Sequence, residues 1–293
     1  MKVIVFGAGT SGRKYIENCA EDIEIVAVAD NNWSNIRMIF GHRVISADTA
    51  LQTEYDRVVI TIEYRTQKGI DSIFSIRNQL MESGVPDSKI VLASDLDAGN
   101  EAPAHKYPRV QFLQSFASSV NDDMEGAVAE CGVCWGDFAS QINECFSSRK
   151  LYLFDTFEGF PDSDMSPESS EVQGELRRNN EVIGNTISPE LTLLKCPHKE
   201  NVIIRKGYVP DTLYEFENER FLFVNLDMDM YAPTISALRF FADKMVANGV
   251  ILVHDYLERY GGVVEAVDEF ASEIPIKKLP IGDGASIAII ING

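Results

Sequence analysis

Short, uninterrupted hydrophobic runs alternate along this chain with longer segments in which apolar residues recur at helical spacing. Runs bounded by polar turns predict strands buried on both faces, and the longer segments predict the helices that connect parallel strands. One run, FLFVNL, stops abruptly before Asp227 and Asp229, and a later one, GVILV, ends in His254 and Asp255. The pattern predicts an α/β protein whose parallel strands end in polar side chains.

These two acidic strand ends are predicted to lie side by side. The segment between them, ALRFFADKMVANG, predicts a crossover helix with Gly249 near its C-terminal end. Alternation along an extended chain would point Asp227 and Asp229 to the same side. Ligands bind at the carboxyl ends of such strands, so the acids and His254 predict an oxygen-rich site with one imidazole. Alternatively, Asp255 caps a helix, Asp227 is solvated, and His254 is a packed structural histidine.

The first hundred residues contain a glycine turn between a strand, KVIVFG, and a helical segment, RKYIENCA. Glycines there let a pyrophosphate approach the helix N-terminus, and an acid about twenty residues on accepts a ribose hydroxyl. The candidate residues are Gly7, Gly9, Gly12 and Asp30, and the alternative is a structural module without a ligand. An acidic helix within GHRVISADTALQTEYD and the later strands RVVITI and KIVLAS predict a small doubly wound domain of about four or five strands. The segments GAGTSGRKYIE and ADNN resemble small Rossmann-like domains of surface-polysaccharide enzymes, which implies a nucleotide or nucleotide-sugar ligand, or a docking function.

A second glycine turn follows the strand GAVAECGV, where Glu130, Gly132 and Gly136 form an E-x-G-x-x-x-G pattern. S-adenosylmethionine suits such a turn, because a carboxylate neutralises its cationic end while small residues admit its methionine chain. The next strand, LYLFD, ends in Asp155, at the usual position of a ribose-binding acid. A strand in NVIIRKG and an antiparallel hairpin of PIKKLP and ASIAIII complete a sheet of seven strands.

Seven strands with motifs in this order resemble the sheet of class I methyltransferases. Five segments, ECGVCWGD, LFDTFEGFP, KGYVPDTL, LDMDMYAPT and GVILVHDY, are similar in sequence and order to the macrocin-type sugar O-methyltransferases. The resemblance covers most of residues 110–270 and implies methylation of sugar hydroxyls on small molecules, using S-adenosylmethionine and a divalent metal, usually magnesium. It implies that Asp227 and Asp255 bind the metal and that Asp229 is the general base. The cofactor-binding residues of this part are then Glu130, Gly132, Gly136, Asp155, Thr156, Phe157, Gly207 and Asp227.

One position departs from the family, which has Asp-Asp-Tyr where this chain has His254, Asp255 and Tyr256. An imidazole in place of a carboxylate favours softer ions such as manganese, iron or zinc over magnesium. Two alternatives stay open, that His254 is not a ligand and that no metal is needed. The polar segment 161–200 is predicted to be a lid or substrate-specificity element, whose Arg177 and Arg178 would meet an anionic substrate group.

Composition narrows the partners. A net charge of -19 and a pI near 4.6 argue against nucleic acid and anionic membranes as partners. Five cysteines, no long apolar run and no signal-like start predict a cytoplasmic protein. A redox or metal function for the C-x-x-C pair Cys131 and Cys134 is a minor alternative, since no second pair is present.

The sequence thus predicts two doubly wound α/β domains. Residues 1–104 would form a small Rossmann-like domain and residues 105–293 the methyltransferase domain, with the boundary near Ala98–Pro108. The predicted function is metal-assisted O-methylation of a sugar or nucleotide sugar in surface-polysaccharide or natural-product biosynthesis, by an enzyme that self-associates as family members often do. The alternatives are an NAD-dependent nucleotide-sugar oxidoreductase or epimerase, against which the absence of a Tyr-x-x-x-Lys pair counts, and a non-catalytic nucleotide-sugar-binding module.

Overall fold

The computed structural model describes residues 1–94, 107–121, 124–165, 170–257 and 261–291, which form two sheets. The predicted domain boundary lies almost wholly outside the described residues. The first sheet has the strand order β3-β4-β2-β1-β5-β6 and is parallel except for the β3–β4 pair. Its strands are β1 (Lys2–Phe6), β2 (Glu24–Ala29), β3 (Met38–Ile39), β4 (His42–Ile45), β5 (Arg57–Ile60) and β6 (Ile90–Leu92).

Helices cover both faces of this first sheet. They are α1 (Thr10–Asn18), α2 (Ala47–Ala50) and α3 (Gln67–Glu82), with a 3₁₀ turn at Asp87–Lys89. The first sheet has six strands, where the sequence predicted four or five. Residues 42–45 add β4, because Val44 is buried beside β2, and the predicted acidic helix follows as α2, with four residues after its N-cap, Ser46.

The second sheet has seven strands in the order β12-β13-β11-β10-β7-β8-β9, which confirms the predicted class I methyltransferase fold. Strands β7 to β11 pair in parallel, and β13 pairs antiparallel with both β11 and β12. All six residues of the central strand β10 are buried. The strands are β7 (Ala127–Cys131), β8 (Leu151–Asp155), β9 (Val202–Lys206), β10 (Phe221–Leu226), β11 (Met245–Val253), β12 (Ile276–Pro280) and β13 (Ile287–Ile291).

Two hydrophobic layers fix the second sheet between its helices. Phe241 and Phe270 pack on one face, and Leu113 and Ile142 on the other. Burying each such side chain contributes about 1.5–3 kcal/mol, so the strand ends project from a rigid frame. The helices are α4 (Pro108–Ser119), α5 (Asp137–Cys145), α6 (Asp162–Met165), α7 (Ser170–Ile183), α8 (Pro189–Lys195), α9 (Tyr231–Ala242) and α10 (Gly261–Glu273), with 3₁₀ turns at Lys199–Asn201 and Asp211–Phe216.

The crossover helix between β10 and β11 is shorter than predicted. It ends at Ala242, and the strand that follows begins at Met245. Gly249 therefore lies inside the strand and not at a helix end. Phe221 pairs with Met245 and Phe223 with Val250, so the residues between them bulge out of the ladder. A Cβ on Gly249 would stand only 2.9–3.0 Å from its neighbours, which explains the glycine.

The polar segment 161–200 packs against the first sheet. Its last helix, α8, buries Leu191 and Leu194 against the first sheet, in one cluster with Ile60 and Leu92. The segment thus joins the two halves of the protein, which the prediction of a lid did not anticipate. Among the described helices, none combines the length and hydrophobicity that crossing a membrane requires.

Candidate functional site

A cavity of about 660 Å³ lies at the carboxyl ends of the central strands of the second sheet. This volume is typical of small-molecule sites. Three of the predicted site residues, Gly136, Phe157 and Asp255, do not line it. The predicted site residues that do line it are Glu130, Gly132, Asp155, Thr156, Gly207, Asp227, Asp229 and His254.

The glycine turn after β7 is shaped by close contacts within the protein. Gly132 has a φ of +84°, and a Cβ there would stand 1.9 Å from the carbonyl oxygen of Asp227. Gly136 has a φ of +78°, and its Cβ would stand 2.8 Å from the side chain of Thr192 in α8. Only glycine fits either position. Gly132 therefore brings the turn against the end of β10, and Gly136 brings it against α8.

Glu130 holds a buried carboxylate at the floor of the cavity. Its side chain is 1% exposed, and Oε1 accepts a hydrogen bond of 2.9 Å from Asn225 Nδ2. Oε2 is buried without a partner in the described structure. Burial raises the pKa of Glu130 well above 4.5, although Arg109 opposes the rise. A buried acceptor without a donor marks a position that a ligand N–H group can complete.

Asp155 organises the backbone around the cavity. Its Oδ2 accepts from the amides of Val133 and Cys134 at 2.6 and 2.9 Å, and its Oδ1 accepts from Phe157 at 2.6 Å. Burial raises the pKa of Asp155, and these amides oppose the rise. Three acceptor positions of the carboxylate are thus used within the protein, which leaves about one for a ligand. Phe157 itself is buried in the hydrophobic layer and acts only through its amide.

The acids after β10 and β11 converge, as the crossover predicts. One ligand atom each from Asp227, His254 and Asp255 lies within 4.8 Å of the others. His254 Nδ1 stands 2.9 Å from Asp255 Oδ2 and 3.3 Å from Asp227 Oδ1, but its angles form no hydrogen bond with either. Burial lowers the pKa of His254, and the charge of Asp227 outweighs it and raises that pKa to about 10. Two carboxylates and an unsatisfied imidazole nitrogen fit a divalent cation.

Asp229 lies beside the same cluster. The prediction that strand alternation places it there is wrong, because Asp229 lies beyond the end of the strand. Strand β10 ends at Leu226, and Asp229 has a left-handed backbone with a φ of 64°. Asp255 also has a left-handed backbone, with a φ of 59°. Strained conformations of this kind concentrate at functional sites. Burial and a hydrogen bond with Asp255 raise the pKa of Asp229 well above 3.8.

Arg109 completes the charge balance of the cluster and was not predicted. It stands in the first turn of α4, where its Nη2 donates to Asp227 Oδ2 at 2.8 Å and its guanidinium lies 3.9 Å from the Phe138 ring centroid. Burial alone would raise the pKa of Asp227. The nearby charges of Arg109 and His254 have the larger effect, so the pKa lies below its ordinary value. The only sequence signal is a helix start with proline at its first position, which does not reveal what the arginine contacts.

The N-terminal glycine turn lies in the first sheet, away from this cavity. A Cβ on Gly12 would stand 1.9 Å from the Gly7 carbonyl oxygen, and one on Gly7 would stand 2.8 Å from Thr61 Oγ1. Asp30 accepts from the amides of Ala8 and Asn32, both at 2.7 Å. Packing inside the turn therefore accounts for Gly7, Gly12 and Asp30 without a ligand, whereas Gly9 faces open space.

Two other groups of candidate residues lie apart from the chemistry. Cys131 and Cys134 are free thiols, and burial raises the pKa of both. A raised pKa opposes formation of the thiolate that redox or metal chemistry needs.

The second group is Arg177 and Arg178, which are exposed on α7 and do not line the cavity. The predicted contact of these arginines with an anionic substrate group therefore has no support in the described structure.

Two family models match this chain, and the N-terminal match does not confirm the predicted polysaccharide-enzyme type of the first domain. Residues 103–283 match the family model of macrocin-O-methyltransferase (TylF), and residues 1–91 match a C2185-like N-terminal model. The solved O-methyltransferase NovP is similar with a TM-score of 0.54 and 22% identity, covering 66% of this chain and 85% of NovP. CalS11, a calicheamicin methyltransferase, has a TM-score of 0.46 and 16% identity over 78% of this chain and 94% of its own. None of the curated proteins compared matches the chain. The NovP likeness establishes the fold.

Proposed function

Because the chain belongs to the macrocin-O-methyltransferase (TylF) family, we propose that it transfers a methyl group from S-adenosylmethionine to a sugar hydroxyl with the help of a divalent cation. The observation that carries the proposal is one cavity that joins the unpaired carboxylate oxygen of Glu130 to the Asp227, His254 and Asp255 cluster. The Glu130 oxygen is suited to the amino group of the donor, and the cluster of two carboxylates and one imidazole is suited to the cation.

The donor site would be built on the turn after β7. S-adenosylmethionine, when bound, supplies a methyl carbon on a cationic sulfur. Glu130 would accept a hydrogen bond from the donor's ammonium group through Oε2. Gly132, Thr156 and Gly207 line the adjoining wall, and Asp155 offers its remaining acceptor position to a ribose hydroxyl. These residues orient the donor and exclude water from it.

The cation site would be Asp227, His254 and Asp255. A divalent cation, when bound, lowers the pKa of a hydroxyl and neutralises the charge that develops on its oxygen. A mixed carboxylate and imidazole set favours manganese, iron or zinc over magnesium. Arg109 holds Asp227 ionised and oriented for this task.

Asp229 would be the general base. It lines the cavity, and it lies beside the cation site through its hydrogen bond with Asp255. A raised pKa makes its ionised form a stronger proton acceptor than an ordinary carboxylate. Asp229 would take the proton of the acceptor hydroxyl while the oxygen forms its bond to the methyl carbon and the carbon–sulfur bond breaks, so that neutral S-adenosylhomocysteine would leave.

The acceptor would enter over an aromatic and aliphatic rim of Tyr107, Phe160, Ile183 and Ile187. Such a rim suits the apolar face of a sugar ring, and Tyr208 adds a hydroxyl that donates to Asp164. We propose a free or nucleotide-linked sugar in surface-polysaccharide or natural-product biosynthesis as the substrate class. A cytoplasmic location, self-association and a division into domains at about residue 104 belong to the same proposal.

Calorimetric titration tests the proposal directly. The purified full chain is titrated with S-adenosylhomocysteine and, separately, with NAD⁺. We expect saturable binding of S-adenosylhomocysteine, competed by S-adenosylmethionine, and none of NAD⁺. Binding of NAD⁺ alone would contradict methyl transfer and favour the oxidoreductase alternative.

A further inference from the structure

The first sheet reaches the donor cavity through three polar side chains at the contact between the two halves of the protein. The Tyr64 hydroxyl donates to the Asp137 carboxylate, with its oxygen 2.7 and 2.8 Å from the two carboxylate oxygens. Lys195 Nζ donates to Asp137 Oδ1 at 2.7 Å and stands 3.2 Å from the centroid of the Tyr64 ring. Tyr64 follows β5 of the first sheet, Asp137 begins α5, and Lys195 ends α8. One cluster therefore ties three separate elements together.

Tyr64 and Lys195 are shielded from water, whereas the Asp137 side chain is 21% exposed at the cavity. Tyr64 is 2% exposed, and the Lys195 side chain is 0% exposed. Charged hydrogen bonds and a cation over an aromatic ring are strongest where water is excluded. A buried lysine is costly without its partner, so the Lys195 and Asp137 pair fixes the relative position of α8 and α5.

Asp137 immediately follows Gly136, the last glycine of the predicted donor turn, and itself lines the cavity. Thr192 of α8 presses on Gly136 from the same side as Lys195. From the first sheet, Arg65 lies 4.7 Å from the centroid of the Trp135 ring, and both residues line the cavity. The donor turn thus rests on α8 and on the residues that follow β5.

We propose that the N-terminal α/β unit helps to form the donor site, because Tyr64 of this unit and Lys195 of α8 together position the turn at residues 132–137 for binding. The inference rests on the proposed function, because it takes this turn as the site of S-adenosylmethionine. Tyr64 and Lys195 are positioning residues and touch no reacting atom. The unit need not bind a nucleotide to have this function, since packing accounts for most of its own glycine turn.

Lys199 provides a matched control. Like Lys195, it bridges the two halves from the same segment, donating to the carbonyl oxygens of Asp87 and Ile90, both at 2.8 Å. Neither Lys199 nor these partners line the cavity, and none of its hydrogen bonds reaches residues 132–137. Lys199→Met therefore removes a contact between the halves and leaves the hydrogen bonds of Tyr64 and Lys195 to Asp137 in place.

The experiment compares S-adenosylhomocysteine binding by calorimetry in the full-length wild type, Tyr64→Phe, Lys195→Met and Lys199→Met, with a thermal melt of each to confirm folding. Tyr64→Phe keeps the ring and loses only the hydroxyl. This variant therefore tests the inference even if Lys195→Met does not fold. We expect Tyr64→Phe to raise the dissociation constant about tenfold, because without this hydrogen bond the turn would adopt its binding conformation only about a tenth of the time. Lys199→Met should stay within about twofold of the wild type, since Lys199 makes no hydrogen bond to Tyr64, Asp137 or the donor turn.

A second signal separates positioning from stability. Trp135 and Trp33 are the only tryptophans of the chain, so in a Trp33→Phe background the emission reports on Trp135 in the donor turn. Tyr64→Phe should shift the ligand-free emission of Trp135, and Lys199→Met should not. Unchanged binding in Tyr64→Phe, or equal weakening in Tyr64→Phe and Lys199→Met, would overturn the inference while wild-type binding still supports the proposed function. A wild type that fails to bind S-adenosylhomocysteine would overturn both.

Discussion

Glu130 offers the sharpest test of the donor site, because one of its oxygens is already committed. Oε1 accepts from Asn225, and Oε2 is buried without a partner. Glu130→Gln keeps the shape of the side chain and an acceptor for Asn225, but it removes the charge. The variant should therefore fold normally and bind the donor poorly.

The magnitude follows from the single available oxygen. One charge-assisted hydrogen bond in a buried site is worth about 1.5–3 kcal/mol, which is a loss of about ten- to hundredfold in affinity. S-adenosylhomocysteine should show this loss. 5′-Methylthioadenosine lacks the amino acid portion, so its affinity should be the same for both proteins.

The pH dependence has a definite sign. Without donor, burial raises the pKa of Glu130 above its ordinary value of 4.5, whereas a bound ammonium group favours the ionised form. Donor binding therefore releases a proton at pH values between the donor-bound pKa and the raised donor-free pKa. Over that range the affinity increases with pH, by up to about tenfold per pH unit. The donor-free protein shows the opposite trend, because its stability falls as the pH rises from 4.5 through the raised pKa.

Calorimetry in buffers of different ionisation enthalpy measures the proton release, and thermal melts measure the stability. In Glu130→Gln, donor binding should release no proton, and the stability of the donor-free protein should no longer fall with pH over this range. Glu158→Gln is the matched control, since Glu158 is exposed and pairs with Lys206 on the surface. Equal affinity of S-adenosylhomocysteine for the wild type and Glu130→Gln would remove Glu130 from the donor site.

Three further predictions concern the acid cluster. Asp229→Asn should lower turnover by about a hundredfold or more while S-adenosylhomocysteine binds as before, and undiminished turnover would exclude Asp229 as the base. Asp227→Ala should abolish Mn²⁺ binding measured by calorimetry, whereas Asp48→Ala, at an exposed position of α2, should not. Retained binding in Asp227→Ala would contradict the proposed ligand set. His254 must lose its proton to bind a cation, so Mn²⁺ affinity should increase with pH towards its pKa of about 10. A flat profile would show that His254 is not a ligand.

The sequence predicts those features of the site that depend on local pattern. Buried strands appear as apolar runs, and the glycines at 132 and 136 mark a tight turn, so both were predicted within a few residues. The convergence of Asp227 with His254 followed from the rule that a crossover places consecutive parallel strands side by side. The β11 start was misplaced because the bulge at 246–249 carries the same small and apolar residues as a helix end.

Contacts between distant segments could not be predicted in this way. Arg109 and Asp227 are 118 residues apart in sequence, and Tyr64 and Asp137 are 73 apart. No periodicity connects such pairs, because only the packing of whole elements brings them together. The packing of α8 against the first sheet was not predicted for the same reason. Its leucines would equally fit the inner face of a lid, so the sequence does not indicate which surface they contact.

Because α8 packs against the first sheet, the two parts of the protein are not expected to be separable by truncation or domain exchange. Leu191 and Leu194 belong by sequence to the part matched by the methyltransferase family, yet they fill the hydrophobic core of the other part. A fragment beginning after residue 104 would leave these leucines in contact with solvent and would be prone to aggregate. A chimaera that exchanged the first unit for that of a distant relative would need complementary surfaces at this helix. The two units are therefore expected to have diverged together and not as interchangeable modules.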